Sequence, residues 1–302
     1  MTHLGLNVYF WGFREQDRLL VECLGPLAER LRGQGRLDWL WFDRFDARGP
    51  HVFALFTVPQ AEAEGAARQI RESVAEYLGR FPSLKSPARE DLEKWHAECR
   101  GKAQSPADRE PEIADNNTWL LFEQDPHDYP LWLPRGLPDP AALWEVVDAL
   151  AQWSIEQLAR SQGTTPIGPA ARWAAELDRA LRTSGVGAEF WRHHATTLLL
   201  PLKERLETDE AEVLSTLPAW IGEKNQAAFS RVWEKVADGA PDITPGANRI
   251  AEIAVSLPGE ARSRLLRETA HWVFKQLGLP VLLHIPLVLF AWSRNLDPAQ
   301  TS

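Results

Sequence analysis

Residues 39–56 read WLWFDRFDARGPHVFALF. Two aromatic and apolar runs flank Asp46-Ala47-Arg48-Gly49-Pro50, and Gly with Pro between such runs suits a tight connection joining two strands, residues 37–46 and 51–58. Arg44, Arg48 and His51 then gather at one end of a sheet. A loop there can present guanidinium forks to carbonyls or carboxylates. A solvated hairpin turn uses the same residues, so this stretch leaves open whether the turn is only a turn or the edge of a site.

Upstream, residues 4–12 (LGLNVYFWG) are strand-like and lead into EQDRLLVECLGPLAERLRGQG. In that segment Leu19, Leu20, Cys23, Leu24, Leu27 and Leu31 recur at helical spacing, and Gly33 and Gly35 stop the helix. Downstream, Pro59 opens a helix through QAEAEGAARQIRESVAEYLGRF. Residues 1–81 therefore predict a β-α-β-β-α part, a half-buried sheet with helices on one face.

Residues 82–117 are polar and read as a linker with a short helical pattern at AREDLEKWHAECRGK. NNTWLLFEQDPHDYPLWLPRG (residues 116–136) predicts a hairpin turning at residues 124–128. From Asp139 onward the chain reads as nearly all helix: Asp139-Pro140 makes an N-cap with Pro at the first helical position, and Gly163 and Gly185 close their helices. Further helices are expected over residues 209–237 and 247–276, and a buried helix or helix pair over residues 277–292. The fold class is α+β. A single domain over residues 1–302 is expected, with residues 118–302 forming the hairpin and the mainly helical half.

Composition narrows the function classes. The 302 residues carry a net charge of -9, which repels polyanions and argues against a nucleic-acid partner. The apolar run at residues 277–292 is shorter than the roughly 20 residues a bilayer span requires and is interrupted by Pro280 and Pro286, so no membrane partner is expected. Cys23 and Cys99 show neither disulfide-framework nor zinc spacing, and no basic and apolar export segment opens the chain, so the cytoplasm is the expected location. The 14 tryptophans are core filler first and ligand walls second.

Phosphate-loop, dinucleotide, HExxH and GxSxG patterns are all missing, so the sequence itself suggests no metal and no cofactor. Histidines are then the side chains best able to move protons near neutral pH. His193 and His194 are adjacent on a helix, about 100° apart, so one is expected on the surface and one partly buried. His271 lies four residues after Arg267 and three after Glu268, and the three can share a helix face as a salt-bridge face or as a site. Asn116 and Asn117 are turn residues, or amides that pin an extended peptide backbone.

The stretch WLWFDRFDARGPHVFALF also resembles the signature of the C-terminal, elimination-type domain of lantibiotic dehydratases and thiopeptide biosynthesis proteins. In that family an aromatic strand is followed by a Gly-Pro-His turn and an apolar-Arg-apolar-Arg strand. A second match is His271 followed, after three residues, by Lys275-Gln276-Leu277-Gly278, where the family often has Asn-Arg-Leu-Gly. Phe53 and Leu55 stand where elimination-competent members place arginines, so the charge complement for expelling glutamate is missing.

The stand-alone thiopeptide pyridine synthases are the branch this chain looks most like. The resemblance implies a cofactor-independent enzyme that joins two dehydroalanines of a precursor peptide by a formal aza-[4+2] cycloaddition, then loses water and the leader peptide. It also implies a leader-bearing precursor peptide and other peptide-modifying enzymes of the pathway as partners. Proton transfer is expected from His51, His194, His271, Glu268 and Tyr9, and substrate contact from Arg44, Arg48, Trp41, Asn116 and Arg267. The alternatives are a glutamate-elimination partner of a split tRNA-dependent dehydratase and a peptide-binding subunit without chemistry.

Overall fold

A computed structural model describes residues 1–45, 48–85, 88–100, 112–125, 127, 139–161, 164–195, 222–238, 244–279 and 281–295. The chain divides into two compact units, Met1–Thr164 and Thr165–Ser302. The predicted hairpin strand and the first long helix of the expected helical half therefore belong with the N-terminal sheet.

In the first unit β1 (Thr2–Tyr9) leads into α1 (Phe13–Leu19), which runs through a π-helical turn (Leu20–Leu24) into α2 (Gly25–Gly33). β2 (Trp39–Phe45) and β3 (His51–Val58) form the hairpin, followed by α3 (Ala63–Arg80), α4 (Arg89–Arg100), β4 (Thr118–Glu123) and α5 (Pro140–Ser161). The four strands are antiparallel to their neighbours in the order β2-β3-β1-β4. β1 and β2 thus run parallel with β3 between them, and the helical crossover packs back on one face. The second arm of the expected hairpin lies outside the described residues.

Alternation sorts the strands into two faces. Leu4, Leu6, Val8, Leu40, Phe42, Val52, Ala54, Phe56 and Val58 pack against Leu20, Leu24, Leu27 and Leu31 of the first helical rod, Ile70 and Val74 of α3, and Leu158 of α5. A half-buried sheet was expected, yet all eight residues of β3 are buried. The reason is the opposite face, where Trp41 packs on Phe53 at 5.8 Å and Phe53 on Phe122 at 6.2 Å between ring centroids.

The open edge of β2 is covered by α5. Asp148 accepts the Leu40 backbone N–H at 2.7 Å, as well as hydrogen bonds from Arg32 and Gln152. Trp144 stacks on Trp39 at 5.5 Å. Using a helix to satisfy an edge strand removes a template for aggregation. The predicted cap of α5 is present, since Asp139 accepts from the Ala142 N–H at 3.1 Å.

The second unit contains α6 (Ile167–Thr183), α7 (residues 187–195), α8 (Glu223–Ala237), α9 (Ala247–Val255), α10 (Gly259–Gln276) and α11 (Val281–Ser293). The helix expected over residues 247–276 is two helices, because Pro258 lacks the N–H that would continue the ladder and holds ψ at 153°. Gly185, at φ 74°, ends α6 as anticipated. Asp178, 1% exposed, ties the unit together. It accepts from Trp191 Nε1 (2.8 Å), Asn295 Nδ2 (2.7 Å), Trp233 Nε1 (2.9 Å) and Arg182 (2.8 Å), linking four segments through one carboxylate. Trp41, Trp173 and Trp191 are fully buried, as core filler should be. Among the described residues no helix is long and apolar enough to cross a membrane.

Candidate functional site

Candidate residues occur in both units. In the first, the register sets Tyr9 and Phe45 on either side of His51. The His51 ring lies 4.8 Å from that of Tyr9 and 5.7 Å from that of Phe45. His51 is buried, and its Nδ1 is 2.9 Å from the Gly49 carbonyl oxygen. A carbonyl only accepts, so in this contact Nδ1 carries the proton.

The turn above His51 is held from two directions. Arg48 adopts φ 62°, a left-handed conformation unusual for a side chain of this size. Its N–H donates to His96 Nδ1 at 2.9 Å, its carbonyl accepts from Ala114 at 2.9 Å, and its Nε donates to the Glu112 carbonyl at 3.1 Å. The guanidinium sits 5.8 Å from the centre of the Tyr9 ring, a cation–π distance. Gly49, at φ 108°, leaves room for Trp11, whose Nε1 lies 3.1 Å from where a Cβ would stand.

Other expected contacts serve the framework. Arg44 projects from the helix-facing side with Leu40 and Phe42, 6% exposed, its guanidinium 2.6 Å from Asp17. It braces the sheet from the face opposite Tyr9 and His51. Asn116 does pin extended backbone, but that of its own chain: it accepts from Trp11 N–H and donates to the Ser83 and Lys85 carbonyls. Trp41 lies fully buried on the Tyr9–His51 face. On that face Asn7 is 4% exposed, and its Oδ1 is buried with no hydrogen-bond partner.

In the second unit the histidines cluster. His194 is buried while His193 is exposed, as their angular separation required. The His194 ring stacks on Phe190 at 5.7 Å, and its buried Nδ1 has no hydrogen-bond partner. Burial pushes its pKa down to about 3, assisted by the positive charge of His284, Arg267 and His193. His271, partly buried on α10, meets His284 of α11 edge-on at 5.9 Å. Burial, then Lys275, His284, His194 and Arg267, lower the His271 pKa well below its ordinary value. His284 is lowered to about 4 by burial and Lys275 against an opposing bond to the Leu279 carbonyl at 2.8 Å. All three rings are neutral at pH 7, so they offer hydrogen bonds and lone pairs rather than charge. Glu268 pairs with Arg267 at 3.5 Å.

The structure thus brings Tyr9, Arg48 and His51 together, and separately His194 and His271. It adds His284 and His96, which sequence reasoning missed. His284 had left a signal, the sole ionisable residue of an apolar run, whereas His96 sits in an ordinary polar helix. Burial pushes the Cys23 thiol up to about 12, which removes it as a nucleophile. Among the described residues no three His, Cys, Asp or Glu side chains are grouped to hold a metal.

No protein-family model and no curated protein sequence matches the chain. Solved structures do match. The pyridine synthase TbtD from thiomuracin biosynthesis superposes with a TM-score of 0.68 at 17% identity, covering 97% of this chain and 97% of that one. TsrL gives a TM-score of 0.49 at 14% identity, with 97% and 95% covered. The fold expected from the Gly-Pro-His hairpin, that of a thiopeptide pyridine synthase, is therefore the fold observed.

Proposed function

We propose that the protein matures a ribosomally made peptide, joining two dehydroalanines into a pyridine-linked macrocycle. The observation that carries this is the likeness to a pyridine synthase over 97% of both chains. The hairpin supports the same reading. Phe53 and Leu55, 3% and 0% exposed, are apolar side chains that offer no charge to an expelled glutamate.

In this reaction an amide passes its N–H proton to its oxygen, giving an iminol. New C–C and C–N bonds close the six-membered ring, water leaves, and the leader departs as a carboxamide, with no net oxidation or reduction. Holding the two alkenes in register supplies much of the acceleration, since well-oriented intramolecular reactions reach effective molarities of about 10⁵–10⁸ M. The buried aromatic face with Trp41 suits that task. Proton transfer falls to the His51 imidazole and to the Tyr9 hydroxyl, beneath the guanidinium of Arg48. His271, with His194, Glu268 and Arg267, forms the second set. The precursor peptide is the partner, and no cofactor is required.

The test combines the purified protein with a leader-bearing bis-dehydroalanine peptide and follows products by mass spectrometry. A macrocycle and a freed leader carboxamide are expected together, and separate substitution of His51, His194 and His271 assigns the proton carriers. If neither product forms across several related peptides, the cyclase reading fails. Glutamate loss from a glutamylated peptide would point instead to an elimination partner, and tight peptide binding indifferent to all three substitutions, with no turnover, to a scaffold.

A further inference from the structure

Asn7 plays no part in the proton transfers above, yet it occupies the sheet face that carries them. It lies two residues before Tyr9 on β1, hence on the same face and roughly 7 Å along the strand. Its register partners are Phe53 on β3 and Leu120 on β4, neither of which offers a polar side chain. The residue is 4% exposed, and its Oδ1 is buried without a hydrogen-bond partner. Asn is a poor strand former, and an apolar side chain here would leave no orphaned oxygen. Packing therefore gives no reason for an amide here.

A second orphan lies beyond Tyr9. Trp11 Nε1, which would stand 3.1 Å from a Cβ at Gly49, is a buried donor without a hydrogen-bond partner. The chain leaving β1 thus offers one unmet acceptor and one unmet donor on either side of Tyr9. A ligand that answers both carries N–H and C=O groups at intervals along an extended length, which is the chemistry of a peptide backbone.

We propose that Asn7 is a substrate-contacting residue, its carboxamide pairing with a backbone amide of the peptide beside the Tyr9–His51 pair. This rests on the peptide-cyclase reading of the site. A carboxamide meets an amide as acceptor and donor at once, so Asn7 selects for peptide backbone and fixes the strand carrying the reacting alkenes.

The test uses the full chain with Asn7→Leu. Binding is read by calorimetry with a leader-bearing peptide holding alanine at both dehydroalanine positions, turnover with the bis-dehydroalanine peptide, and stability by thermal melting. Asn7→Leu is expected to bind the alanine peptide roughly tenfold more weakly while melting at the wild-type temperature or roughly 2–4 °C above it. A lower melting temperature with unchanged affinity overturns the inference, because Asn7 is then structural. If the leucine is too large to fold, Asn7→Ala, which only removes atoms, must show the affinity loss for the inference to hold. Wild-type turnover that Asn7→Leu leaves intact, with affinity unchanged, overturns the inference alone. Wild-type binding without cyclisation overturns the cyclase reading alone and leaves Asn7 to be judged on affinity. A wild type that binds neither peptide overturns both.

Discussion

The hairpin end of the sheet and the core of the helical unit handle buried polar groups in opposite ways. Around the hairpin, side chains bond to backbone: His51 to the Gly49 carbonyl, Arg48 to the Glu112 carbonyl, and Asn116 to Ser83 and Lys85. In the helical unit, side chains bond to each other, with Asp178 collecting two indole N–H groups, a guanidinium and an amide. Its histidines are kept neutral mainly by burial. The first region is specified by backbone conformation and the second by the presence of particular side chains. Mutation should therefore hurt them through different mechanisms.

The largest effect is expected from Asp178→Ala. It leaves two buried indole N–H groups, an amide hydrogen and a partly exposed guanidinium without their acceptor, a loss of about 3–5 kcal/mol by analogy with breaking a buried charge pair. Chemical denaturation would measure it. A loss below 1 kcal/mol would show that the carboxylate is not the hub and would erase the contrast drawn above.

Acid should be the next discriminator. The folded pKa values of His194 and His284, about 3 and about 4, lie below the unfolded value of 6.5. The unfolded chain therefore binds more protons below pH 6.5. Their contribution to stability is constant above that pH and falls as the pH drops toward the folded values, by about 1.4 kcal/mol per pH unit for each histidine. His194→Gln and His284→Gln should each flatten this acid limb. An unchanged slope in both would mean that burial does not hold these rings neutral.

Gly49→Ala probes the hairpin and should cost about 1–3 kcal/mol, since an alanine at φ 108° is strained and its Cβ meets Trp11. The matching readout is the exchange of the amides in β2 and β3, expected to speed up while those of α6 stay protected. Equal protection in both variants would mean that the turn does not depend on its backbone geometry.

Legibility in the sequence follows the same division. The hairpin, α3, the Asp139 cap and the Gly185 stop were all readable, because each depends on residues adjacent in the chain. The break at Pro258 was readable in principle but was overridden by the apolar periodicity on both sides. Arg44 lies at the expected end of the sheet, on a face that the sequence left unassigned for a physical reason. Alternation puts it with Leu40 and Phe42, but Trp41 and Phe45 make the other face equally apolar, so period two could not say which face meets the helices. His96 gave no signal, since its bond to Arg48 joins positions 48 residues apart.

Local chemistry in the chain was enough to specify the strand and helix types, the Gly-Pro-His turn and the apolar character of the strand carrying Phe53 and Leu55. Turn conformers, caps and periodicity are energies of near neighbours. Pairing order, the coverage of the β2 edge by a carboxylate 108 residues away, the contact of His51 Nδ1 with the Gly49 carbonyl and the orphaned oxygen of Asn7 came only with the fold. These depend on which distant groups burial brings into contact, and hydrophobic burial is not directional enough to name its partners in advance.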